Sequence, residues 1–515
     1  MKHFGVAFVS VLLALTAAAQ TNPSLVATNV VPNGRQMSLQ DCIAAALKHN
    51  LDIQIQRYTP EIDLFTLGAS YGTAYDPTLT ASGTHTFNDQ PGGFDANGVA
   101  LPSETIKQDY FNAAVSGELP WTGLRYDFNG NIDQQHLLGT GFGTNGLPFN
   151  FNTPSSVGFM GVTLTQPLLK NMWIDQSRLT ILVNKNTLRY DEQGFRYQVI
   201  TSVTAVENAY YELIYALENL KVQQEALELS QTQLDQDKQR LQIGTLAELS
   251  VEQDQSQVAQ NLATLITAQD TLNNDQNTLK NLLTDNYSDL HNSDIQPTET
   301  LTAPLVLFNL QDSWSRGMTE RPDLIQYRLN VRKAGIQLKF DRNQLFPELD
   351  VIGTYGWNGN GLYYNGALGQ LNQGNAPYYN VGAQLSVPLG DTSARNTLKS
   401  DKVSLKQVVL KLKQYEQNVL VGIDNAVKNA EGDYESVDAT RQARVYAEAA
   451  LDAEQKTYAV GKATTFEVLT YQNNLTAARG QEIRALANYE ESLATLYSLE
   501  GSTLDRLGIN IEATP

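Results

Sequence analysis

Leucines fall seven residues apart at Leu213, Leu220, Leu227, Leu234 and Leu241, and the series resumes at Val251, Val258, Leu265, Leu272 and Leu279. A strict seven-residue period predicts helices that supercoil left-handedly on a neighbour. Between these positions lie Gln224, Gln231 and Lys238, then Gln253, Gln255, Gln257, Gln260 and Gln269, so the apolar seam is narrow and the rest of the surface polar. That is the pattern of a wall wetted on both faces, not of a helix inside a globular core. Ser177 to Gln242 alone is about 100 Å of helix at roughly 1.5 Å per residue, far more than a compact domain needs.

A second texture has period two. Leu349, Val351, Gly353, Tyr355 and Trp357 alternate with Asp350, Ile352, Thr354, Gly356 and Asn358. Leu124, Tyr126, Phe128, Gly130 and Ile132 alternate with Arg125, Asp127, Asn129, Asn131 and Asp133. Alternation over about ten residues is the signature of a transmembrane β-strand, apolar to lipid and polar to lumen. Strands are predicted near 77–87, 110–119, 123–133, 157–166, 347–358 and 378–387, and the aromatics Phe111, Trp121, Tyr363, Tyr364, Tyr378 and Tyr379 suit an interfacial girdle. Asp89–Pro102 and Leu137–Pro154, rich in Gly, Asn and Pro, read as loops.

The chain matches itself. "SLQD" from Ser38 pairs with "NLQD" from Asn309, "PTLTASGT" from Pro77 with "PELDVIGT" from Pro347, and "GVTLTQPL" from Gly161 with "GAQLSVPL" from Gly382. From about Ser177 the offset is constant, so that Gly244 answers to Gly461 and Val251 to Val468. Two internal repeats follow, 38–297 and 309–505, joined by a linker at 298–308 and followed by a tail at 506–515. The first carries a barrel-region insertion near 89–156, which contains the strand pair around Pro120-Trp121-Thr122-Gly123.

Charge and composition narrow the class. Lys2, an apolar run from Val6 to Leu15 and Ala17-Ala18-Ala19 predict a signal peptide over 1–19. No later stretch is long and apolar enough for a transmembrane helix, which leaves a β-barrel as the way to span a bilayer. A net charge of −19 argues against nucleic acid. Cys42 is the sole cysteine, so no intrachain disulfide forms. The five histidines show no metal-ligand spacing, and no nucleophile elbow or phosphate-binding glycine loop is present, so neither metal, cofactor nor enzymatic chemistry is expected.

In this order and twice over, "ERPDL" at Glu320–Leu324, the strand ends "TQPLL" and "SVPLG", and Tyr458, Gly461 and Val468-Leu469 resemble the TolC-like outer-membrane efflux family. Four to six strands cannot close a barrel alone, since the smallest have eight. The resemblance implies an α+β membrane protein: a homotrimer whose strands share one transmembrane β-barrel in outer-membrane lipid, continued by a long periplasmic α-helical coiled-coil tunnel. The function it implies is an exit duct for a tripartite efflux pump or a type I secretion system, partnered by a periplasmic adaptor and an inner-membrane transporter. The competing class is an exported trimeric coiled-coil adhesin with a barrel anchor; such a protein would group its strands at one terminus.

Gly244 and Gly461 then read as hairpin tips at the periplasmic mouth, where glycine supplies a left-handed helix cap. Thr245 to Glu248 and Thr464 to Glu467 each fit a capping box that starts the returning helix. Gly244, Thr245, Gly461 and Lys462 are the expected adaptor-docking residues. By resemblance, Glu467 lies in an acidic aperture ring, with Thr470 where a second acid would stand. Tyr458 and Gln239 are the paired aperture positions, and the family's latch arginine falls on Ala463.

Overall fold

The computed structural model describes residues 34–511 apart from 95–97, 99, 101 and 143–146; the predicted signal peptide lies outside the described residues. A short strand, β1 (Arg35–Met37), leads into α1 (Leu39–His49) and α2 (Leu51–Tyr75). Four strands follow, β2 (Thr78–Gln90), β3 (Glu104–Glu118), β4 (Arg125–Phe142) and β5 (Pro148–Pro167). Two long helices complete the first half, α3 (Gln176–Gln242) and α4 (Glu248–Leu283), before a turn of helix, α5 (Tyr287–Leu290), and β6 (Ile295–Pro297), which pairs in parallel with β1. The second half runs α6 (Leu310–Glu320), α7 (Pro322–Gln344), β7 (Glu348–Gly361), α8 (Tyr364–Gln373), β8 (Pro377–Ser386), α9 (Thr392–Ala459), α10 (Thr465–Glu500) and α11 (Thr503–Arg506).

The short motifs mark helix starts. Ser38 and Asp41 form a capping box at α1, and Asn309 caps α6 through its side chain. Asn50 caps α2, whereas α7 begins with Pro322 at its first turn, where the missing N–H costs nothing. The rest of "ERPDL" is a buried anchor. Arg321 donates from Nε and Nη2 to both oxygens of Asp323, at 2.9 and 2.5 Å, and from Nη1 to the carbonyl of Leu499. Burial alone would raise the Asp323 pKa; the bonds from Arg321 and the Tyr415 hydroxyl (2.6 Å) overcome it and hold the carboxyl below its ordinary value.

Six strands form one antiparallel sheet in the order β2-β3-β4-β5-β7-β8. All six predicted segments are strands, and the pair inside the insertion lies in the same sheet as the rest. The predicted loop at Leu137–Pro154 needs correction. β4 runs on to Phe142 and β5 begins at Pro148, and the two pair along their whole length. Glycine, asparagine and phenylalanine there break the polar–apolar alternation, but the hairpin's backbone hydrogen bonds do not need it.

The register gives the sheet two unlike faces. Leu79, Val115, Phe128, Val162, Val351 and Leu385 share one face, and Thr80, Asn112, Asn131, Thr163, Thr354 and Asn380 lie on the other. Both edge strands, β2 and β8, are exposed at every residue.

The helices carry the chain away from the sheet. α3 and α9 are 67 and 68 residues long, about 100 Å each, and α4 and α10, 36 residues each, return along them. Every heptad position read from the sequence is buried or half-buried, while Gln224, Gln231 and Lys238 are exposed. The main core packs α1, α3 and α4 beside the β1–β6 pair, with Val203, Tyr210, Leu213 and Leu279 sealed from solvent. Leu507, Ile509 and Ile511 of the C-terminal segment pack against that core.

Candidate functional site

The two helical hairpins turn at one end of the molecule, farthest from the sheet, and they turn alike. At the first, the N–H of Gly244 donates to the carbonyl of Leu241 and that of Thr245 to Arg240, both at 2.9 Å. At the second, Gly461 donates to Tyr458 at 3.0 Å and Lys462 to Thr457 at 3.1 Å. This is the Schellman arrangement, which satisfies the last carbonyls of a helix and requires a left-handed residue. Gly244 and Gly461 supply it, with φ of 78° and 74°.

The restarts differ. Thr464 caps α10, accepting from the Glu467 N–H, while the Glu467 carboxylate accepts from the Thr464 N–H at 2.7 Å and its hydroxyl at 2.9 Å. The Thr464 backbone bond and then its hydroxyl hold the Glu467 carboxyl below the ordinary glutamate range. The matching box expected at Thr245 and Glu248 does not form. Thr245 follows its glycine directly, two residues too early, and its hydroxyl donates instead to the Arg240 carbonyl; Ala247 is the cap of α4 and makes no side-chain bond.

Just above the tips, four helices meet on one buried carboxylate. The Tyr458 hydroxyl, from α9, lies 2.8 and 2.6 Å from the two oxygens of Asp237 in α3. The hydroxyl of Thr465, in α10, donates to Asp237 at 3.2 Å, and Gln233 Nε2 does so at 3.0 Å. Asp254, from α4, is fully buried beside them. Burial, together with the neighbouring Asp237 carboxylate, pushes Asp254 up to about 7. Tyr458 is raised by burial first and by its bond to Asp237 second.

An arginine does sit on Tyr458, though not from position 463. Arg240 of α3 places its guanidinium 4.6 Å from the ring centroid and 3.7 Å from Asp237, a cation–π contact with a partial ion pair. Of the predicted aperture residues, the structure brings Tyr458 into this cluster, while Gln239 and Glu467 are exposed outside it. Sequence reading missed Asp237, Asp254, Gln233 and Arg240. A signal existed: Asp237 follows Leu234 by three residues, and Asp254 follows Val251 by three, so both acids occupy apolar seam positions of the heptad.

The tips also expose matched apolar side chains. Ile243 and Leu249 stand beside the first glycine, Val460 and Phe466 beside the second, each 64% exposed or more.

Helices of about 100 Å that end in paired hairpins, joined to an antiparallel sheet with one apolar face, make up the fold. The sequence profile of the outer membrane efflux protein family matches residues 138–284 and 316–502, and the chain belongs to that family. Its place is therefore the outer membrane, and it is not an enzyme. The outer membrane protein TolC of Escherichia coli (strain K12) is 26% identical over 294 residues, which cover 56% of this chain and 59% of that protein. The outer membrane efflux protein BepC of Brucella suis biovar 1 (strain 1330) is 22% identical over 364 residues, 69% and 75% of the two chains. Among solved structures, the CmeC outer membrane channel of Campylobacter jejuni superposes with a TM-score of 0.65 at 15% identity, covering 90% of this chain and 86% of that one. The open-state MtrE channel of Neisseria gonorrhoeae gives 0.63 at 14%, covering 90% and 89%. At such identities the structural likeness speaks for the fold.

Proposed function

We propose that three copies assemble into one conduit, a transmembrane β-barrel continued by a helical tunnel, which serves as the outer-membrane exit duct of a tripartite efflux pump or a type I secretion system. The observation that carries this reading is the open six-stranded sheet. Its edges β2 and β8 are unpaired and exposed throughout, which a lone chain in a membrane cannot sustain. Three such sheets joined edge to edge make eighteen strands, in the range that encloses an aqueous lumen. The apolar face then meets lipid and the threonine- and asparagine-rich face lines the pore.

An internal duplication belongs to the same reading, with repeats 38–297 and 309–505. The paired helix lengths of the two halves support it, as do the two alike tips. Those tips, with Gly244, Thr245, Gly461, Lys462 and the apolar side chains beside them, are the docking surface for a periplasmic adaptor that links to an inner-membrane transporter. Tyr458, Gln239 and Glu467 belong to the aperture. An adhesin is disfavoured, because helices and strands interleave along the chain.

The test is twofold. Detergent-extracted protein is expected to run as a heat-sensitive trimer in light scattering and to give discrete conductance steps in planar bilayers. A monomer at every concentration, or a trimer that never conducts, would sink the proposal.

A further inference from the structure

The connection between β7 and β8 is not a simple loop. It holds α8, a ten-residue helix without a single charged side chain, closed by Gly374 in the left-handed conformation. Its placement on the sheet is set by missing side chains. A Cβ on Gly359 would lie 2.2 Å from the Ala367 carbonyl oxygen, one on Gly361 2.7 Å from the Ala367 nitrogen, and one on Gly158 2.9 Å from Leu371. Three glycines on adjacent strands thus cut a notch in which the helix rests, and Ala367 is completely buried there. Polar bonds fix it further. The Asn360 N–H donates to Gln370 Oε1 at 2.9 Å, and Gln134 Nε2 donates to the Leu362 carbonyl at 3.1 Å.

The face it covers is the apolar one. Gly359 is on the same side of β7 as Val351, Tyr355 and Trp357, and it pairs with Gly158, which pairs with Ile132 of β4. Tyr364 packs its ring on Phe111 of the same face, 6.2 Å between centroids. The height matters as much as the side. Below the helix this face carries Val115, Phe128 and Val162; beyond it come Asp109, Lys107 and His136. The notch therefore falls where the apolar band gives way to a polar rim, at the end of the sheet opposite the long helices. Leu362, Tyr363 and Leu368 remain at least half exposed along the helix.

We propose that α8 is an interfacial helix on the outside of the barrel, seated in the outer leaflet, with Leu368 in contact with lipid acyl chains and Tyr363 at the headgroup level. This rests on the reading that the apolar sheet face is turned outward. Lipid is the occupant because the exposed side of α8 continues the apolar band, carries no charge to bind a soluble partner, and stops at the polar rim. Tyrosine at the border between an apolar band and a polar rim is enriched at membrane–water interfaces. By filling the boundary, α8 fixes how deeply the barrel sits.

The experiment uses the full chain with the buried Cys42 replaced (Cys42→Ala) and a nitroxide attached at Leu368→Cys, Phe128→Cys or Asn131→Cys. Each protein is reconstituted in phosphatidylcholine–phosphatidylglycerol vesicles, and collision with oxygen is compared with collision with a water-soluble nickel chelate. Position 368 is expected to favour oxygen, as position 128 does, while 131 favours nickel. Adding Gly359→Val, which closes the notch, should turn position 368 toward nickel and leave 128 unchanged. If 368 is nickel-accessible in the unaltered notch while 128 is not, α8 lies in water and the inference falls, with the barrel reading intact. If 128 and 131 fail to separate, the outward apolar face is itself wrong and the inference goes with it.

Discussion

The hydroxyl of Tyr458 bridges both carboxylate oxygens of Asp237, at 2.6 and 2.8 Å, across 221 positions of sequence. It ties the outgoing helix of the second hairpin to that of the first, and it is buried. A charge-assisted bond in such a place holds the joint shut and costs more when broken than a surface bond would. Tyr458→Phe should remove it while keeping the ring under Arg240, at about 1–3 kcal/mol of local stability. Faster amide exchange around Leu234–Leu241, with larger or more frequent conductance steps in bilayers, is the expected result. Slowed or unchanged exchange would show that the bond does not hold the joint.

The same joint predicts a dependence on pH. Asp254 titrates near 7 in the folded chain against 3.8 for an ordinary aspartate, so the folded state binds its proton more tightly. Its contribution is complete below about pH 4 and is lost as pH rises through about 7, where a second buried charge faces Asp237. Arg240 and Tyr458 are the other titratable groups in the cluster. Asp191 beside Asp63 and Asp341 beside Asp401 are also raised, to about 7 and about 6, by burial first and by the paired acid. Glu491, raised to about 7 by burial first and by the neighbouring Glu212, is a fourth such acid, so global unfolding would mix all four pairs and the measurement must be local. Amide exchange at the tips should accelerate from pH 5.5 to 8 beyond the intrinsic rate, and Asp254→Asn, which mimics the protonated form, should abolish the excess. An excess that survives in Asp254→Asn would assign it elsewhere.

Much of this fold is legible in the sequence, for specific reasons. The heptads at Leu213–Leu241 and Val251–Leu279 repeat often enough to fix two helices and the turn between them, and alternation at 349–358 fixes a strand with its faces. α8 is not legible, because "YNGALGQLNQ" has two glycines and the composition of a loop; only the notch on β5 and β7 makes it a helix. The buried acids were hidden differently. Among 55 acidic residues nothing marks Asp237 or Asp254 until their seam positions are compared with the leucines around them.

Alanine at the tips should act through the backbone alone. A Cβ on Gly244 or Gly461 meets nothing within 4 Å, so any cost is that of the left-handed conformation, roughly 1 kcal/mol each. Val460→Asp and Phe466→Asp leave the backbone unstrained and remove the apolar contact surface instead. If the tips dock an adaptor, the aspartates should cut adaptor crosslinking more than the alanines do, with trimer yield unchanged. Equal crosslinking in all four variants would place the contact elsewhere on the tunnel.

Glu467 is left with two roles that one substitution separates. As a cap it accepts from the Thr464 N–H and hydroxyl, and the downward shift of its pKa keeps it ionised at every pH above the ordinary glutamate range. As an aperture residue it would meet its symmetry mates near the axis of the trimer, and three carboxylates there would draw cations to the mouth. Glu467→Gln keeps an oxygen that accepts both capping bonds and removes the charge. The expected outcome is a lower preference for cations and weaker block by multivalent cations in reconstituted channels, with the melting temperature of the trimer little changed. A fall in melting temperature with selectivity intact would make Glu467 a helix cap and nothing more. Thr470, one turn further along α10, carries no charge, so Glu467 is the carboxylate of that helix's first two turns.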